Sequence, residues 1–193
     1  FYDLGKGHAI LWSEWPNPEA SPLWSRHEEL ETQMGKVRAD WATGYLRNML
    51  IYPNVFLMDQ MSTQIRVIRP LSVDKTEVMI YCFAPVGEDR ESRSKRLRQY
   101  EDFFNASGMA TPDDLSEFNA SHQGYKNHRI VRWSDVSRGA GHEIEGPDER
   151  ATALGLKPLR SGVKLEDEGI VLPQHTRWTE LMAAAISGDD NAG

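Results

Sequence analysis

The clearest local feature of this sequence is the run Thr111-Pro112-Asp113-Asp114-Leu115-Ser116-Glu117, which sets two carboxylates side by side. Read as structure, it predicts a helix start. Thr111 suits the N-cap, Pro112 the first helical position, and the acids complement the positive end of the helix dipole. Read as chemistry, one carboxylate joined by two histidines makes a facial iron site with open positions for dioxygen and substrate. The pattern of the chain leaves both readings open. Six histidines are present, His8, His27, His122, His128, His142 and His175. None falls in HExxH or another tight ligand spacing, so each reads as structural or surface. Cys82 is the single cysteine and lies in apolar company. It reads as a buried, inert thiol. One thiol excludes an intramolecular disulfide and an iron–sulfur cluster held by this chain alone. No Gly-rich phosphate loop and no GxSxG elbow occurs.

The elements that must position these groups follow from periodicity and breakers. Residues 8–15 predict a strand. Residues 22–47 predict a helix with Leu23, Leu30, Met34, Val37, Trp41 and Tyr45 on one face, bent or split at Gly35 and Gly44. Residues 48–58 are β-rich, and Pro53 confines them to an edge or a bulge. Residues 63–69 and 76–84 predict an antiparallel hairpin, with its turn after Pro70. Residues 89–104 predict a charged helix with Leu97, Tyr100 and Phe104 along one side. Its outer face is basic (Arg90, Arg93, Lys95, Arg96, Arg98), as a solvated face or a contact with a partner subunit. A further helix starts near Thr111, and residues 122–150 are rich in loops. Residues 173–187 predict an amphipathic helix carrying Trp178, Leu181, Met182 and Ile186. The tail GDDNAG is expected to fray.

The chain has 193 residues, a formal charge of -7 and 39% hydrophobic residues. The acidic balance argues against a nucleic-acid or anionic-membrane surface. The apolar content is slightly low, and some apolar residues are expected to await a missing partner. No apolar run reaches the roughly 18 residues a spanning helix needs, and no signal peptide is visible. A soluble, reducing, cytoplasmic protein is the expectation. The chain opens on Phe1 and enters strand-like sequence at once, which points to a natural start upstream.

Several strings resemble one family. They are residues 98–115 (RQYEDFFNASGMATPDDL), 52–60 (YPNVFLMDQ), 64–66 (QIR), 74–78 (DKTEV), 137–140 (SRGA), 146–148 (GPD), 156–158 (LKP), 161–164 (SGVK) and 166–169 (EDEG). Together they resemble the large subunits of Rieske non-haem-iron dioxygenases of the benzoate, toluate, anthranilate and 2-halobenzoate group. The resemblance covers nearly the whole chain. It implies an α+β fold, an antiparallel sheet with helices in the helix-grip (START/Bet v1-like) form, truncated on its N-terminal side. Residues 1–193 would be the C-terminal part of one catalytic domain. The Rieske domain with its [2Fe–2S] cluster is absent, and the segment supplying the two iron-binding histidines lies upstream; His8 belongs to a later strand and does not replace them. By resemblance Asp114 is the third ligand of a mononuclear Fe(II), with Asp113 the capping acid. Asn48, Met58, Phe104 and Met109 match pocket positions. Arg47 is a candidate partner for a substrate carboxylate, with a surface salt bridge as the other reading.

The implied activity is cis-dihydroxylation of an aromatic carboxylate with O2. NADH electrons would arrive through a flavin and iron–sulfur reductase. Implied partners are that reductase, a small β subunit and further α subunits, as α3β3 or α3; nucleic acid and membrane are not expected. Two alternatives stand beside it: a Rieske-type monooxygenase or demethylase on the same fold, and a metal-free helix-grip ligand-binding domain.

Overall fold

The computed structural model describes residues 1–188; the fraying expected of the tail beyond Gly188 lies outside the described residues. Within them, eight strands form one antiparallel sheet in the order β6-β5-β4-β3-β2-β1-β8-β7. Strands β1 (Tyr2–Gly5) and β2 (His8–Glu14) make the first hairpin. Its turn needs Gly7, because φ is +86° there and a Cβ would overlap the ring of Tyr52. Strands β3 (Tyr45–Ile51) and β4 (Val55–Asp59) make the second. Pro53 sits in the turn of that hairpin, joined to Tyr52 by a cis peptide bond, rather than at an edge or a bulge. In the turn, its missing N–H removes no ladder hydrogen bond.

Strands β5 (Thr63–Ser72) and β6 (Lys75–Cys82) make the hairpin predicted from alternation. Strand β5 runs two residues past Pro70, through an irregularity in register between Pro70 and Ser72. The sheet closes with two very short strands. β8 (Arg160–Ser161) pairs with β1, and β7 (Ile144–Glu145) pairs with β8.

The link from β2 to β3 carries helices α1 (His27–Met34) and α2 (Lys36–Thr43). Gly35, at φ +82°, splits them, as anticipated. The helix stops at Gly44, so residues 45–47 are strand and not helix; Tyr45 pairs with Glu14 across the sheet. Helix α3 (Arg90–Phe103) starts at Asp89, whose side chain accepts from the Ser92 N–H at 2.9 Å. Helices α4 (Thr111–Tyr125), α5 (Glu149–Leu154) and α6 (Leu172–Ser187) follow.

Strand parity assigns the two faces, because neighbours along a strand point to opposite sides. The pairs Leu11↔Asn48, Asn48↔Met58 and Phe56↔Arg66 put Leu11, Asn48, Met58, Phe56 and Arg66 on one face. Trp12 and Arg47 fall on the other. There Trp12, Trp41 and Tyr45 pack with ring centroids 5.3–5.6 Å apart, and Arg150 of α5 stacks over Tyr45 at 4.4 Å.

Two expectations change in this frame. Arg96 is not on the basic outer face of α3. It is buried and gives Nε and Nη2 to the two Glu88 oxygens at 2.7 and 2.9 Å. Cys82 is half-buried at the end of its strand, with Sγ 3.6 Å from Arg96 Nη1.

Candidate functional site

The first face of the sheet and the layer above it enclose a cavity of about 370 Å³. The floor comes from β2 to β6, through Leu11, Asn48, Met58, Arg66 and Val78. The cover comes from Phe118 of α4, Ile170 and Val171 of the short turn before α6, and Gln174 of α6. The lining is mostly apolar with three polar side chains, Asn48, Arg66 and Gln174. A mostly apolar hollow with a few convergent polar groups is the form that small-ligand sites take.

Asn48 stands in the middle of β3. Its Nδ2 donates to Gln60 Oε1 at 2.8 Å, and its Oδ1 is buried with no partner. Arg66 stands two strands away. Its Nε donates to Gln64 Oε1 at 3.0 Å, and its guanidinium lies 4.6 Å from the centre of the Phe104 ring. Gln64 is fully buried and held in turn by Ser62. Arg66 Nη2 is buried and has no hydrogen-bond partner. Burial lowers the pKa of this guanidinium from its ordinary value, and the charges of Asp114 and Tyr100 offset part of that shift.

Asp114 lies in the first turn of α4 and is half-buried, whereas Asp113 is exposed. Asp114, Phe118 and His122 recur at a spacing of four and so share one helix face, the face that covers the cavity. The capping differs from expectation. Thr111 is the first helical residue, and its hydroxyl donates to the Phe104 carbonyl at 2.7 Å instead of capping. That bond ties the start of α4 to the end of α3, and it places Asp114 one residue deeper in the helix than the expected cap would.

Among the described residues, no group of three His, Cys, Asp or Glu side chains is placed to hold a metal ion. His122 is two helical turns from Asp114, about 12 Å along the axis. The donors among the described residues therefore do not complete a three-ligand metal site. His8, in β2, instead accepts the Tyr52 N–H on Nδ1 at 3.0 Å.

Of the other expected pocket residues, Met58 lines the cavity, and Phe104 lies beneath Arg66 at 5% exposure. Met109 is 74% exposed and does not line it. Arg47 is on the opposite face, bonded to the Trp41 and Ala42 carbonyls and paired with Asp59. That is a salt bridge of the scaffold and not a cavity group. Arg66 was missed in the sequence. The available signal was the pair Gln64 and Arg66, two residues apart and hence on one face of β5, opposite Ile65 and Val67.

No family model matches the chain. It is 54% identical over 188 residues to the 2-halobenzoate 1,2-dioxygenase large subunit of Burkholderia cepacia, covering 97% of this chain and 40% of that protein. It is 48% identical over 191 residues to the toluate 1,2-dioxygenase subunit alpha of Pseudomonas putida, covering 99% and 41%. It is 42% identical over 188 residues to the anthranilate 1,2-dioxygenase large subunit of Acinetobacter baylyi, covering 97% and 40%. The chain thus spans about 40% of the length of these curated relatives. A solved structure of naphthalene 1,2-dioxygenase with indole bound in the active site superposes with a TM-score of 0.62 at 18% identity, over 86% of this chain and 37% of that one. At that identity the likeness shows the fold: the mixed antiparallel architecture expected from the sequence.

Proposed function

From a chain that belongs with the C-terminal part of the large subunits of benzoate-type ring-hydroxylating dioxygenases, we propose that it forms the substrate-holding part of a terminal oxygenase catalytic domain. The complete subunit would convert an aromatic carboxylate to its cis-dihydrodiol with O2 and electrons from NADH. The observation that carries the reading is the cavity itself, an apolar hollow on the sheet whose cover includes the helix that bears Asp114.

In this reading residues 1–193 are one piece of a single catalytic domain, with the Rieske domain elsewhere in the subunit. Asp114 is the carboxylate ligand of a mononuclear non-haem Fe(II), whose two histidine ligands come from outside this chain. The iron supplies dioxygen activation when bound. The residues of this chain do three things. The apolar floor, with Met58 and Leu11, receives a flat ring and excludes water. Asn48, a polar side chain of the cavity lining, orients a ring substituent. The first turn of α4 fixes the direction of the Asp114 carboxylate. A flavin and iron–sulfur reductase, small β subunits and further α subunits would complete the assembly.

The test uses the full-length subunit with its partner components. Asp114→Ala is expected to lose the mononuclear iron, read by metal analysis, and with it cis-diol formation from benzoate. Full iron occupancy in that variant would remove Asp114 from the ligand set. A phenol in place of a cis-diol from the wild type would assign a monooxygenase instead.

A further inference from the structure

Arg66 carries a positive charge into an apolar cavity, and none of its contacts neutralises it. It forms no salt bridge among the described residues; its hydrogen bond goes to the neutral Gln64 amide, and its face lies on the Phe104 ring. A half-buried cation without an acidic partner costs free energy, which an anion brought to it recovers. Asp114 is an electrostatic neighbour, but no ion pair joins the two.

The support under Arg66 is fixed before any ligand arrives. Gln64 is fully buried and takes Nε, and Phe104 is nearly as buried and carries the guanidinium face. Nη2 is out of reach of water and has no protein acceptor. A carboxylate in the cavity would bring the counter-charge that this support does not supply.

We infer that Arg66 is the anchor for the carboxylate of the ring substrate, and so a specificity-determining residue of the cavity. This deepens the proposed function and rests on it. A charged substituent at Arg66 would point the ring toward the face of α4 that carries Asp114, so the anchor would select aromatic acids over neutral aromatics of the same shape. The competing role is support of Asp114 alone, in which Arg66 sets the charge beside the helix start and never meets substrate.

The experiment compares benzoate with its neutral isostere benzamide in the full-length, iron-loaded oxygenase, by calorimetric titration and by KM. Arg66→Gln is expected to weaken benzoate roughly 10- to 100-fold, to leave benzamide within about threefold, and to leave iron content unchanged. Arg66→Lys is expected to recover part of the benzoate affinity, since the charge returns without the planar guanidinium that lies on the Phe104 ring. Equal losses for both ligands, unchanged benzoate affinity, or loss of iron would overturn the anchor role. Should Arg66→Gln not fold, Arg66→Lys decides: weaker benzoate with unaltered benzamide supports the anchor, and unaltered binding of both overturns it. A wild type that binds neither ligand would overturn the proposed function, and this inference with it. Benzoate binding indifferent to Arg66→Gln removes the inference alone.

Discussion

Two regions of the molecule treat their side chains in opposite ways. Along the seam where β1 meets β8 and α5, Tyr2 and Ser161 are fully buried and Asp3 nearly so. Over and beyond the cavity, Phe118 is 62% exposed, Trp178 56% and Trp133, in the loop after α4, 88%. The seam finds its partners within this chain. Tyr2 donates to Asp148 at 3.0 Å. Arg160 bridges Asp3 and Glu143 at 3.1 and 3.0 Å. Asp167 accepts the Val163 and Lys164 N–H groups. The seam is thus a finished piece of structure. The cover leaves large apolar side chains open to solvent instead.

The comparison can be broken by substitution. The largest loss is expected where α3 is fastened to the loop before it, at the bidentate Glu88–Arg96 pair. Glu88→Gln leaves a buried guanidinium short of its counter-charge and should lower unfolding stability by about 3–5 kcal/mol, measured by urea denaturation. The same pair sets an acid limb. Arg96 holds the Glu88 carboxyl below its ordinary value of 4.5. A carboxyl depressed in the folded state contributes its stability in full above the unfolded value and loses it as pH falls through the folded one. Below about pH 4.5 the wild type should therefore lose stability more steeply than Glu88→Gln.

Asp148→Ala attacks the seam at two points, because that carboxylate caps α5 through the Ala151 N–H and accepts from the buried Tyr2 hydroxyl. A loss of about 2–4 kcal/mol is expected. A loss under about 1 kcal/mol would mean that only the cap counts and that the seam is looser than its burial implies. The smallest effect is expected on the cover. Trp133→Ser and Ile186→Ser should each change stability by no more than about 0.5 kcal/mol, while reducing self-association in light scattering. Losses comparable with those at the seam would erase the distinction.

What the sequence made legible divides along similar lines. The β5–β6 hairpin, the split at Gly35 and helix α6 depend on local alternation, a breaker or helical periodicity, and each was readable within a short window. The two-residue strands β7 and β8 depend on Tyr2 finding Ser161, a pairing that leaves no local period. The end of α2 was misjudged because Tyr45 continues the helical spacing of Trp41, yet it pairs in the sheet with Glu14. In the cavity, Arg47 and Asn48 were nominated together. Adjacent residues of one strand cannot face the same side, so seating Asn48 in the cavity sends Arg47 to the other face. Met109 lies in the turn between α3 and α4, where residue type gives no direction. The reading of Asp114 as an iron ligand came only from the family strings, since its helix-start pattern accounts for it equally well.

The aromatic cluster on the far face has an optical consequence. Trp12 and Trp41 meet edge to face at 5.4 Å, with Tyr45 against both rings and Arg150 above Trp12. Indoles coupled at that range in a chiral setting give a strong near-ultraviolet circular dichroism signal. Because the cluster lies across the sheet from the cavity, that signal reports the integrity of the scaffold and is blind to ring binding. Ligand titrations and unfolding curves can then be read from separate chromophores in one sample.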